Sequence, residues 1–261
     1  MARGRRTTLE NLIDLSVRIN GLLFPINTLE SAVARYTQSL IAINDSDEYP
    51  LSLAGSAFAA FYRDRYIVLC TRHQLRALGR TPEAFGLLEG DGKYAITSAG
   101  VRHFTSLNES DYHDIVAFDF TEPCLERPAL KQRFFDLRAF PLDVPSDQII
   151  CLIVAGYAYS DQNYDLADDR RLEQAIRILI CHTDGPDQPS DAALLRVRPI
   201  ESLSFDPDGL SGGGAFVLQF VNGEAQAFFA GIITRAGREH LHIVRCGFVR
   251  RFLDDFIDRP D

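Results

Sequence analysis

From residue 53 onward the chain is a succession of short apolar runs rich in β-branched and aromatic residues, separated by Gly, Asp and Arg clusters. Runs this short, bounded by turn formers, read as strands rather than helices. They fall at 57–62, 66–71, 94–98 and 115–120, and again at 149–157, 177–181, 194–197, 215–221, 225–233 and 241–245. One connection is explicit. Asn222-Gly223 separates two of these runs, and an Asn-Gly pair accepts the two positive φ angles of a two-residue hairpin. The pattern predicts an all-β protein made of two small antiparallel β-barrels, since short strands bury their apolar faces by closing on themselves.

The flanks read differently. Leu9, Leu12, Ile13, Leu15 and Val17 recur at helical spacing over 8–20, and Leu29, Ala32, Val33, Tyr36, Leu40 and Ile41 do so over 28–42. An N-terminal helical extension is therefore expected over residues 1–50, ended by the turn formers and proline of 44–50. Phe248, Val249, Phe252, Leu253, Phe256 and Ile257 predict an amphipathic C-terminal helix. Pro141 and Pro145 lie in a stretch poor in core residues. The first barrel is accordingly expected over 51–140 and the second, with the terminal helix, over 141–261.

The formal net charge of −9 opposes attraction to phosphate backbones and anionic lipid, so neither nucleic acid nor a membrane is an expected partner. No apolar run approaches the roughly 18 residues of a spanning helix. Residues 1–6 are basic, but polar residues 7–11 stand where a secretion signal needs an apolar segment, which predicts a cytoplasmic location. The five cysteines are odd in number and mostly embedded in apolar runs, as reduced core residues would be. No motif calls for a cofactor.

Three segments carry chemistry. Ser211 stands in Asp208-Gly209-Leu210-Ser211-Gly212-Gly213-Gly214. A nucleophilic serine must project from a tight turn whose N–H groups converge on an oxygen that becomes negative, and glycines permit such a turn; Gly209 and Ser211 would be the two donors. The alternative is a Gly-rich hairpin loop with a solvated serine. A strand ending in Thr71-Arg72-His73 places an imidazole just beyond it, and Asp114 opens the apolar run Ile115-Val116-Ala117-Phe118, where a carboxylate needs a partner. Orienting the His73 ring would supply one, although Asp111 and Asp119 compete for the role.

Taken together, these segments resemble the trypsin-like (chymotrypsin-fold) serine peptidases, whose order is His, Asp, Ser across two β-barrels. Thr71-Arg72-His73, Asp114-Ile115-Val116-Ala117 and Gly209-Leu210-Ser211-Gly212-Gly213 are similar to that family's motifs, as are Gly55-Ser56-Ala57-Phe58 and Gly231-Ile232-Ile233-Thr234. The resemblance spans residues 51 to 258 and implies a serine endopeptidase acting on a protein or peptide through a His73, Asp114, Ser211 triad and an acyl-enzyme. It also implies that Phe205 lies at the base of the side-chain pocket, and that Thr234, Arg235 and Ala236 line the cleft.

Departures from the family pattern carry further expectations. Leu210 stands where secreted relatives carry an aspartate that pairs with a newly freed amino terminus, which argues against activation by N-terminal cleavage. Gly214 stands in place of a proline, and Arg72 in place of a small residue. Two other readings remain. His240 and His242, with His182, offer a weak metal site. A catalytically silent barrel that binds peptides, its N-terminal helices docking a protein partner, is the alternative from another class.

Overall fold

The computed structural model describes residues 15–105, 110–165, 171–185 and 187–258. It opens with a hairpin, β1 (Ser16–Ile19) and β2 (Leu22–Pro25). The first sheet follows: β3 (Thr37–Ile43), β4 (Leu51–Tyr62), β5 (Arg65–Thr71), β6 (Phe85–Leu88), β7 (Ala95–Thr97), β8 (Gly100–His103), β9 (Ile115–Asp119) and β10 (Phe135–Asp136). The second half contributes β11 (Ile149–Tyr157), β12 (Asn163–Asp165), β13 (Arg171–Glu173), β14 (Ile176–Thr183), β15 (Leu194–Pro199), β16 (Gly214–Val221), β17 (Glu224–Ala236) and β18 (Leu241–Arg245). A helix, Cys246–Asp258, ends the described chain.

Six strands in the order β16-β11-β14-β15-β18-β17 close into an antiparallel barrel because β16 also pairs with β17. The Asn222-Gly223 turn makes that closing hairpin, with φ of 53° and 83° and Val221 opposite Glu224. The first sheet, ordered β7-β6-β3-β4-β5-β9-β8, is an open half-barrel. The chain is thus mostly β as expected, with one closed barrel and, in place of the second, a half-barrel.

The N-terminal helical extension is a correction. Among the described residues up to 50 only Leu29–Ala34 is α-helical, while residues 16–25 form a hairpin and Thr37–Ile43 is a central strand of the first sheet. The helix expected to start at residue 8 falls partly outside the described residues. Asn20-Gly21 explains the first error: φ values of 48° and 84° make a two-residue turn that sets Ile19 opposite Leu22. Residues 37–43 mislead for a different reason. β3 is covered on both faces, so its apolar residues follow no alternation. The helices expected to dock a partner are therefore, over this range, a hairpin, a short helix and a strand. β1 joins the closed barrel by pairing parallel to β17.

One core runs between the two sheets. Phe58 of β4 stacks on Phe229 of β17 at 4.4 Å, and Phe135 and Phe216 pack edge-on at 5.1 Å. Such pairs are worth roughly 0.5–1.5 kcal/mol beyond area burial. The C-terminal helix buries Val249, Phe252, Leu253 and Phe256 in this core, and the Tyr62 hydroxyl donates to Asp254 at 2.8 Å. Among the described residues no helix is long and apolar enough to cross a membrane. Cys70, Cys124 and Cys181 are buried free thiols, and burial pushes Cys181 up to about 12.

Candidate functional site

His73 and Asp114 meet because of strand register. β5 and β9 pair with Thr71 opposite Ile115, so residues just beyond those ends are neighbours. Thr71 then opens the short helix Arg72–Ala77, and Gln74 reaches back to accept the Thr71 N–H at 2.9 Å. This Thr-x-x-Gln pattern is a capping box, and it sets His73 in the first turn. Asp114 ends a single 3₁₀ turn, Asp111–Asp114. Its Oδ1 accepts the His73 backbone N–H at 3.1 Å and its Oδ2 lies 2.5 Å from His73 Nδ1. A carboxylate only accepts, so Nδ1 carries a proton; a neutral ring then has its lone pair at Nε2, which lies 3.4 Å from Thr71 Oγ1.

Ser211 rides on a loop anchored at several points. Gly212 donates to the Ile233 carbonyl at 2.7 Å, Gly213 to Leu210 O at 3.0 Å, and Ile233 to Gly213 O at 2.8 Å. Gly212 has φ +84°, and a Cβ there would lie 2.0 Å from Ser56 O. Only glycine fits. Ser56 holds the loop from the other side, its hydroxyl donating to Gly209 O at 2.7 Å and accepting the Tyr157 N–H at 2.7 Å. Leu210 is 1% exposed among core residues of the closed barrel, so apolar burial fixes this position. Gly214 uses a group that proline lacks: its N–H donates to Thr37 Oγ1 at 3.0 Å.

Two peptide groups of this loop are anchored through their carbonyls. The Asp208 carbonyl accepts from Tyr159 N–H and the Leu210 carbonyl from Gly213 N–H. In a trans peptide the N–H points opposite the carbonyl, so the Gly209 and Ser211 N–H groups face away from those anchors. Among the described residues neither has a hydrogen-bond acceptor. The Ser211 hydroxyl donates to the Thr234 carbonyl at 3.1 Å, not to His73.

An open cleft of about 520 Å³ takes in His73, Asp114, Ser211, Thr234, Arg235 and Ala236 together. Asp111, buried in the same cleft, accepts the Thr234 hydroxyl at 3.2 Å and is ion-paired to Arg235. It therefore ties the first half of the chain to β17, while Asp119 pairs with Arg65 at 3.3 Å. Phe205 is not brought to the cleft. It packs against the closed barrel's core with the Arg177 guanidinium 4.9 Å above its ring. Arg72 turns away as well, donating to Phe104 O at 3.0 Å.

Sequence reasoning missed Gln74 and the bridging role of Asp111. The Thr71-x-x-Gln74 spacing was the signal for the first; nothing local marks the second. His182 lies opposite Arg198, His240 sits 3.1 Å from Asp184 Oδ2, and His242 lies opposite Arg235. Burial, then the Arg235 charge, holds His242 below the ordinary imidazole range. Among the described residues no three His, Cys, Asp or Glu side chains are placed to hold a metal ion.

Chemically, the arrangement brings a hydroxyl and an imidazole oriented by a carboxylate to one cleft, and among the described residues the Gly209 and Ser211 N–H groups of the serine loop have no acceptor. No protein-family model and no curated protein sequence matches this chain.

Proposed function

We propose that the chain is a serine endopeptidase of trypsin-like type, hydrolysing peptide bonds through an acyl-enzyme. The observation that carries this reading is the two-point hold of Asp114 on His73, in a cleft shared with Ser211. The reaction requires the Ser211 hydroxyl to leave Thr234 O and turn to His73. Its Oγ then bonds to the substrate carbonyl carbon while the proton passes to Nε2, and Asp114 stabilises the resulting imidazolium. The Gly209 and Ser211 N–H groups receive the oxyanion. His73 returns the proton to the departing amine, and water repeats the sequence to release the acid. The Thr234 carbonyl, freed by the serine, accepts a main-chain N–H of an extended substrate.

Exchange of Ser211 for Ala is expected to lower kcat on order of 10⁶ in a peptide-hydrolysis assay, as for other triads acting as a unit. An unchanged rate refutes the proposal. One observation favours the silent peptide-binding alternative: Ser211 is bonded to Thr234 rather than to His73. In that case peptides bind the cleft of wild type and Ser211→Ala alike, and neither hydrolyses them.

A further inference from the structure

Gln74 is a polar side chain only 3% exposed, and the mechanism just given leaves it unused. Its Nε2 donates to Ser211 O at 2.6 Å and to Ser56 O at 3.2 Å. Its Oε1 accepts the Thr71 N–H at 2.9 Å and the Thr71 hydroxyl at 2.7 Å. A primary amide has two N–H donors and two carbonyl lone pairs, so every one is used. The flipped amide would set its NH₂ against the Thr71 N–H, which leaves one orientation.

The surroundings are shaped to this amide. A Cβ at Gly55 would stand 2.1 Å from Nε2, and one at Gly212 3.0 Å from Oε1. The residues joined are the cap of the His73 helix and the main chain of Ser211 itself, and Gln74 is the chain neighbour of His73. Among the described residues the Ser211 carbonyl has one other partner, the Ser56 N–H at 3.2 Å.

We infer that Gln74 is a positioning residue that locks the serine loop in register with the His73 helix, so that loss of its donors lowers the reactivity of Ser211. The catalytic half of this inference rests on the peptidase reading; the structural coupling does not.

Two variants of the full chain test it. Gln74→Met keeps the volume and removes all four hydrogen bonds. Gln74→Glu keeps the acceptor toward Thr71 and, when ionised, loses the donors toward Ser211 and Ser56. Amide hydrogen exchange over residues 209–214 and the rate of fluorophosphonate labelling of Ser211 are measured across pH, with a thermal melt of each protein. In Gln74→Met, exchange over the loop rises about tenfold and labelling falls about tenfold, the scale of losing one or two net hydrogen bonds. Gln74→Glu matches it at neutral pH, and its loop protection recovers as the new carboxyl is protonated. A side chain that only fills space leaves Gln74→Met at wild-type values and gives no such recovery; either result overturns the inference. If Gln74→Met does not fold, the pH response of Gln74→Glu decides alone. Exchange needs no chemistry at Ser211, so the two failures separate. A wild type that does not label, with variants that still show the exchange response, sinks the peptidase reading and sustains the coupling. A labelled wild type with no response in either variant sinks the coupling alone.

Discussion

Asp114→Asn alters one atom of the site, and two hydrogen bonds set its effect. The His73 backbone N–H, 3.1 Å from Oδ1, cannot rotate, so the new amide must present its carbonyl oxygen there and turn its NH₂ toward Nδ1. Nδ1 must then accept, which moves the ring proton to Nε2, the nitrogen required to take the serine proton. The opposite amide orientation leaves a donor facing a donor and costs about 1–3 kcal/mol. Lost attraction to the imidazolium adds to this. At 2.5 Å and an effective dielectric of about 40, between surface and bulk values because His73 is half exposed, it is about 3 kcal/mol. Together the two losses slow reaction by about 10³–10⁴. Thermal stability is expected to change by no more than about 4 °C, since a solvent-exposed pair contributes up to ~1 kcal/mol. The assay is the second-order rate of fluorophosphonate labelling, with a melt of the same samples. A rate within about tenfold of wild type, in a protein that melts normally, would refute the orienting role of Asp114.

Three other substitutions probe the same frame. Gly212→Ala forces a Cβ into φ +84° and against Ser56 O; with about 1–2 kcal/mol for the backbone alone, the melting temperature falls by several degrees and labelling slows, and unchanged labelling contradicts the loop geometry. Gly214→Pro removes the donor to Thr37 and adds atoms where even a Cβ would meet Phe58 at 2.5 Å. It is expected to cost about 1–3 kcal/mol in urea denaturation, whereas a gain in stability would show that proline suits this loop after all. Because His242 is held below its ordinary range, the unfolded chain takes up that proton first. Its contribution is intact above about pH 6.5 and is lost as pH falls from there toward the folded value. His242→Gln should flatten the stability profile over that acid limb; an unaltered slope contradicts the assignment.

Much of the fold was legible where local chemistry is unambiguous. Strands with apolar runs between turn formers, such as β5 and β9, fall within a residue of expectation, and Asn222-Gly223 makes the hairpin its dipeptide requires. The same dipeptide stands at Asn20-Gly21, where the helical spacing of Leu9, Leu12, Ile13, Leu15 and Val17 set the N-terminal expectation instead, and there it failed. β3 was hidden because burial on both faces erases the period of two. At the site, His73, Asp114 and Ser211 were visible because each needs particular neighbours in the chain: a strand end, an apolar run, a glycine turn. The bridging role of Asp111 was not, since its partners Thr234 and Arg235 lie more than a hundred residues away. Phe205 illustrates the converse. A chain offset from the serine placed it at the cleft, whereas packing gives its ring to the barrel core beneath Arg177.

The central claim is that the folded protein makes Ser211 a nucleophile. It is tested most directly by incubating native wild type and Ser211→Ala with a fluorophosphonate probe and mapping the adduct by mass spectrometry. A single adduct on Ser211, absent from the Ser211→Ala protein and from wild type unfolded in denaturant, is the predicted result. No adduct on the folded wild type, or an equal adduct in Ser211→Ala, would contradict it.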